Sequence, residues 1–122
     1  MSSENARRVF VVDDDPLVLA VTRRLLVRAG YEVTIFDDPR RALEGLAQDP
    51  PYAVVADLNM PELSGVELLA EVKQRAPSSL RVLYTGEGSV EGLGGGVAHV
   101  VLAKTGGMQA LPDTLARLRP EA

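Results

Sequence analysis

The chain has 122 residues, a formal net charge of −4, 46% hydrophobic and 25% charged residues, and no cysteine. That length suits one domain with a real core and is too short for two ordinary ones, and disulfides and thiolate metal sites are excluded. The acidic balance argues against a nucleic-acid-binding domain, and no apolar run approaches the roughly 20 residues of a membrane span.

Residues 1–8 read as a disordered lead-in and residues 9–119 as a single folded domain. Met1 to Arg8 is polar and has no signal-peptide core, so a cytoplasmic location is expected. Val9-Phe10-Val11-Val12 is an apolar run that ends in Asp13-Asp14-Asp15. Asp15 reads as a helix N-cap with Pro16 at the first helical position, and the helix runs to Ala29 and stops at Gly30. Within it Val18, Val21, Leu25 and Ala29 share one face, Ala20 and Val27 fall roughly opposite, and Leu19 and Leu26 lie on its flank. The helix is more apolar around its circumference than burial on one side requires.

Val33 and Ile35 alternate with Glu32 and Thr34, the pattern of a half-exposed strand near a sheet edge. Asp38-Pro39 repeats the cap-plus-proline signal, and Asp49-Pro50-Pro51 ends that second helix. Ala53-Val54-Val55-Ala56-Asp57 is apolar on consecutive positions and bounded by turn residues, as in a strand buried on both faces. Ser64-Gly65 opens a third helix through Val66, Leu69 and Val72, Arg81 to Thr85 is a fourth strand, and Val97 to Ala103 a fifth. A last helix passes through Leu111, Leu115 and Leu118, with Pro112 in its first turn. Six of the eleven residues from Gly86 to Gly96 are glycine. Each interior glycine costs a helix about 1 kcal/mol, so the helix due between the last two strands is expected to be short, frayed or absent.

Strands alternating with helices imply right-handed crossovers and a doubly wound parallel α/β sheet. Such sheets bind ligands beyond the carboxyl ends of their strands. Asp13 and Asp14 end strand one, Asp57 strand three, Thr85 strand four and Lys104 strand five. Clustered carboxylates repel, and a hard divalent cation such as Mg²⁺, which takes oxygen ligands, removes that problem. A carboxylate beside the cation can attack a phosphoryl group, while a lysine and a threonine hydroxyl supply countercharge and a hydrogen bond. Lys104 is one of two lysines against eleven arginines.

With these residues in place the sequence resembles the receiver domains of two-component response regulators, of the chemotaxis-receiver type. The resemblance rests on Val11-Val12-Asp13-Asp14-Asp15, on Asp57-Leu58-Asn59-Met60-Pro61 with Gly65, on Leu83-Tyr84-Thr85-Gly86, and on Lys104, in the family's order from Val9 to Leu118. It implies a five-stranded flavodoxin-like sheet in the order 2-1-3-4-5. It implies Asp57 as phosphoryl acceptor, and Asp13, Asp14, Asp57 and the Asn59 carbonyl as Mg²⁺ ligands. Thr85, the Gly86 N–H and Lys104 would bind the phosphoryl group. Asn59 and Glu87 would tune its hydrolysis, and two polar residues there imply a short-lived phosphoryl state. The implied donor is a histidine kinase or a histidine phosphotransfer protein, and the output a contact with a downstream protein, with neither nucleic acid nor membrane bound by this domain. Such a domain catalyses only its own phosphorylation and dephosphorylation. With no room for an effector domain, the chain is expected to be a stand-alone regulator or a piece of a longer protein.

The sequence departs from the family in three places. Thr105 stands where proline usually follows the lysine, so a trans peptide is expected. Val101 stands where an aromatic side chain is common, and the segment from Thr85 to Lys104 is short and glycine-rich. All three bear on the output face rather than on the acceptor site.

Two other readings compete. One is a haloacid-dehalogenase-like phosphatase using Asp13 and Asp15 with Lys104, although Leu17 departs from that pattern and no late acidic pair follows. The other is a pseudo-receiver, a binding module whose site is never phosphorylated. His99, the sole histidine, reads as an ordinary strand side chain. Arg23, Arg24 and Arg28 read as a solvated helix face or, with Leu19, Ala20 and Leu26, as a docking surface for a partner helix.

Overall fold

A computed structural model of the chain describes residues 7–86, 96–104 and 108–118. Five parallel strands form one sheet: β1 (Arg8–Val12), β2 (Glu32–Phe36), β3 (Ala53–Asp57), β4 (Leu80–Thr85) and β5 (Val100–Ala103). Their order across the sheet is β2-β1-β3-β4-β5, as expected. Four helices are described: α1 (Pro16–Arg28), α2 (Pro39–Gln48), α3 (Gly65–Arg75) and α4 (Leu111–Arg117), the last preceded by a 3-10 turn at Met108–Ala110. The glycine-rich crossover between β4 and β5 falls, over residues 87–95, outside the described residues.

The alternating pleat sends two sets of side chains to opposite faces of the sheet. Val9, Val11, Val55, Val82 and Tyr84 pack with Leu19 and Leu26 of α1 and with Leu111 and Leu115 of α4. Phe10, Val12, Val54, Ala56 and Leu83 pack with Ala42 and Leu46 of α2 and with Leu68, Leu69 and Val72 of α3. Every residue of β3 and β4 is buried, which is what a central strand covered on both faces requires.

The helix starts follow their caps. The Asp15 carboxylate accepts from the Leu17 N–H at 2.9 Å, and Asp38 accepts from Arg40 N–H at 2.9 Å. Ser64 and Glu67 form a reciprocal capping box at the start of α3. Gly30 ends α1 with φ of +100°, the left-handed region expected of it.

Two expectations shift. The buried face of α1 is Leu19, Thr22 and Leu26, the flank of the apolar stripe, while Val21 stays exposed. And β5 begins at Val100 rather than Val97. The buried guanidinium of Arg81 takes the Val97 carbonyl at 2.6 Å, and His99 Nδ1 accepts from the Arg81 N–H at 3.0 Å. Side-chain bonds thus occupy the Arg81 N–H and the Val97 carbonyl, while the His99 N–H still donates to the Arg81 carbonyl at 2.7 Å.

Candidate functional site

Strand parity builds the site. Asp13 is the residue after β1 and Asp57 the last of β3, and each continues the set of side chains facing α1 and α4. Lys104, the residue after β5, shares parity with Val100 and Leu102 on the same face. The outcome is one ammonium between two carboxylates. Lys104 Nζ donates to Asp13 Oδ2 at 2.8 Å and pairs with Asp57 Oδ1 at 2.9 Å. Asp13 is 1% and Asp57 7% exposed, whereas Asp14 is open to solvent.

The loops hold this arrangement. Asp13 Oδ1 accepts from the Asp15 N–H at 2.9 Å, which turns the chain from β1 into α1. The Leu58 N–H donates to the Tyr84 carbonyl at 2.9 Å, and the Gly65 N–H closes the loop after Asp57 by donating to the Leu58 carbonyl, also at 2.9 Å. Asp15 is occupied as the cap of α1. It does not join Asp13 as the second acid that a phosphatase of the Asp-x-Asp kind needs.

Electrostatics suit a cation. Burial raises the Asp57 pKa, Lys104 opposes the rise, and the Asp13 and Asp14 charges add to it. For Lys104 burial works against the ammonium, but the bonds to Asp13 and Asp57 outweigh it and its pKa is raised. Carboxylate oxygens of Asp13, Asp14 and Asp57 all lie within 4.8 Å of one another, close enough for one ion to bridge them.

Of the other expected site residues, Thr85 is fully buried at the end of β4, and Gly86 follows it, exposed, with open space where a Cβ would stand. Asn59 lies exposed in the loop after Asp57. Glu87 and Thr105 lie outside the described residues. Val101 is half-buried against the α2–α3 layer.

Three features escaped sequence reasoning. Tyr84 lies with its ring centroid 5.9 Å from Lys104 Nζ. The signal was the parity of Leu80, Val82 and Tyr84, which puts Tyr84 on the lysine's face. Arg81 is buried, with its guanidinium on the carbonyls of Pro77, Ser79 and Val97. Thr22 is buried inside α1, and the signal was helical spacing, since it lies three residues after Leu19 and four before Leu26.

A family model described as "Response regulator receiver domain" matches residues 9–115. The chain belongs to the response regulator receiver domain family. Over 116 residues it is 38% identical to the response regulator MprA of Mycolicibacterium vanbaalenii, a match covering 92% of this chain and 48% of that protein. Over 83 residues it is 35% identical to the DNA-binding transcriptional regulator NtrC of Escherichia coli K12, covering 68% of this chain and 18% of that one. The chain thus spans less than half the length of these relatives. Among solved structures, the chemotaxis response regulator CheY4 of Vibrio cholerae superposes with a TM-score of 0.81 at 30% identity, over 90% of this chain and 96% of that one. TrrA of Thermotoga maritima, solved in complex with Mg²⁺-BeF, shares the fold at a TM-score of 0.84 and 24% identity, over 92% of this chain and 98% of that one. The receiver domain is the phosphoacceptor module of two-component response regulators, and histidine kinases are the partners of that family. No helix among the described residues is long and apolar enough to cross a membrane.

Proposed function

We propose that Asp57 accepts a phosphoryl group from the phosphohistidine of a histidine kinase or histidine phosphotransfer protein, and that the chain signals by protein contacts. A carboxylate oxygen of Asp57 attacks phosphorus, the P–N bond breaks, and its electron pair returns to the donor imidazole. The observation that carries this reading is the Lys104 ammonium held between Asp13 and Asp57 at the carboxyl edge of the sheet.

Asp13, Asp14, Asp57 and the Asn59 carbonyl would hold Mg²⁺, which supplies charge neutralisation for the phosphoryl oxygens. Lys104 pairs with one phosphoryl oxygen, and Thr85 and the Gly86 N–H donate to the others. Asn59 and Glu87 orient a water for hydrolysis, which keeps the phosphoryl state short-lived. The chain catalyses only its own phosphorylation and dephosphorylation, and works in the cytoplasm within a domain running from residue 9 to 119.

The donor docks beside the site. Leu17 is 71% exposed in the first turn of α1, and Val21, Arg24 and Arg28 continue the same open face. An apolar strip edged by arginines fits an amphipathic helix with acidic flanks. On the output side, Val101 is too small to act as an aromatic switch, so signalling runs through other contacts.

The test is incubation with acetyl phosphate and Mg²⁺ followed by intact mass and peptide mapping. One phosphoryl adduct on Asp57, lost in Asp57→Asn, is expected. An adduct on Asp13 would support the phosphatase instead. Absence of an adduct with Mg²⁺ binding intact would make the chain a pseudo-receiver.

A further inference from the structure

We propose that Tyr84 is a positioning residue for the acceptor site: its ring face holds the Lys104 ammonium at the point where it meets both Asp13 and Asp57. The inference rests on the phosphoacceptor reading for its consequence, though the contact itself does not.

A lysine is a compact charge on a long flexible stem, and ordering it costs rotamer entropy. Asp13 and Asp57 attract the Lys104 ammonium at nearly equal distances, 2.8 and 2.9 Å. Those two attractions change whenever the acceptor is phosphorylated or a cation arrives. The Tyr84 ring is uncharged, and its attraction for a cation depends on neither event. Lys104 Nζ lies 5.9 Å from the centroid of the Tyr84 ring, within the roughly 6 Å over which a ring quadrupole attracts a cation. Only a fifth of the lysine side chain is exposed, so solvent screens that attraction incompletely.

Tyr84 is the fixed member of the pair. It is 1% exposed and packs in the same layer as Leu19, Leu26, Leu111 and Leu115. Its backbone is paired on one side with Asp57 and on the other with Leu102, and its carbonyl accepts the Leu58 N–H. The ring cannot follow the lysine, so the lysine must come to the ring. One residue therefore holds the backbone just after the acceptor and, through its side chain, the cation beside it.

The ring rather than the hydroxyl performs this task. Among the described residues the Tyr84 hydroxyl has no hydrogen-bond partner. Burial pushes its pKa up to about 12, so it stays a neutral phenol at any working pH. Phenylalanine should therefore serve as well as tyrosine, whereas an apolar side chain of similar bulk should not.

The test uses the full chain with Tyr84→Phe, Tyr84→Leu, and Tyr84→Phe in which the ring carries one, two or three fluorines. Fluorine withdraws electron density from the ring face and weakens cation attraction with little change in size. Two readouts are taken: the initial rate of Asp57 labelling by acetyl phosphate with Mg²⁺, and the NMR shift of the Lys104 ε-methylene protons without any donor. Tyr84→Phe should retain the ring-current shift and restore the rate. Each added fluorine should reduce both, and Tyr84→Leu should abolish the shift and slow labelling roughly fivefold. In a Lys104→Met background the Tyr84 variants should label at one common rate. A Lys104 shift unmoved by Tyr84→Leu, a rate indifferent to fluorination, or an equal loss in the Lys104→Met background would overturn the proposal. If Tyr84→Leu fails to fold, the fluorinated series still decides. If the wild-type chain takes no phosphoryl group, the phosphoacceptor reading fails, while the Lys104 shift still decides whether the ring holds the lysine.

Discussion

Gly65 lies directly against the backbone carbonyl of Asp57. A Cβ at position 65 would fall inside the van der Waals envelope of that oxygen and 2.7 Å from Leu83 Cδ1. Its φ is not left-handed, so the demand is for space alone. The first turn of α3 is thereby seated on the acceptor strand, and the Gly65 N–H closes the loop that carries Asn59.

Gly65→Ala should therefore act on stability and site together. Overpacking at a rigid backbone contact costs about 2 kcal/mol. A lowered urea midpoint and slower acetyl phosphate labelling of Asp57 are expected. An unchanged midpoint would show that α3 can move away freely.

Mg²⁺ should stabilise the fold through the aspartate cluster. A ligand at tenfold excess over its dissociation constant adds about 1.4 kcal/mol. For a domain of this size that raises Tm by about 5 °C. Thermal melts with and without Mg²⁺ measure this directly. The rise should vanish in Asp14→Asn, whose exposed side chain carries no packing role. An identical rise in that variant would place the ion elsewhere.

His99 should make stability depend on pH. Its Nδ1 accepts the Arg81 N–H, so the folded state needs that nitrogen unprotonated. Burial lowers the His99 pKa, and the positive charges of Arg81 and Lys73 lower it further. With the folded pKa below the unfolded value of about 6.5, the unfolded chain binds the proton first. Stability is full above that value and declines as the pH falls toward the folded pKa. The ring is largely exposed, which keeps the effect modest. His99→Asn, which keeps an acceptor near the Nδ1 position and cannot titrate, should flatten this part of the profile. Urea midpoints between pH 5 and 7.5 would reveal it, and parallel profiles for the two proteins would count against the account.

Thr22 and Tyr84 bring two hydroxyls close together in the core. Thr22 is near enough to lower the phenol pKa slightly against the larger effect of burial, yet neither group reaches hydrogen-bond geometry among the described residues. A buried hydroxyl without a partner costs about 1 to 3 kcal/mol. Thr22→Val keeps the shape and removes the hydroxyl, so it should raise the urea midpoint by the equivalent of about 1 kcal/mol with the slope unchanged. A loss of stability would reveal a bond between the two hydroxyls in solution.

The sequence by itself determined a doubly wound parallel sheet and the strand ends that carry the site, while the order of the strands followed from the resemblance to receiver domains. Apolar runs that stop at Asp13, Asp57, Thr85 and Lys104, alternating with capped helices, imply right-handed crossovers, and the pleat has a period of two. The caps at Asp15, Asp38 and Ser64 were equally legible, since they depend on neighbours within a few residues. Tertiary structure decided what depends on packing across the sheet. The apolar stripe of α1 left several faces available, and only contact with β1, β4 and α4 selected Leu19, Thr22 and Leu26 for burial. At the start of β5 the buried guanidinium of Arg81 holds the Val97 carbonyl, a contact between residues far apart in sequence that no local pattern announces. That Lys104 meets two carboxylates rather than one, and lies over Tyr84, depends on how the ends of β1, β3, β4 and β5 come together across the sheet, which no local pattern encodes.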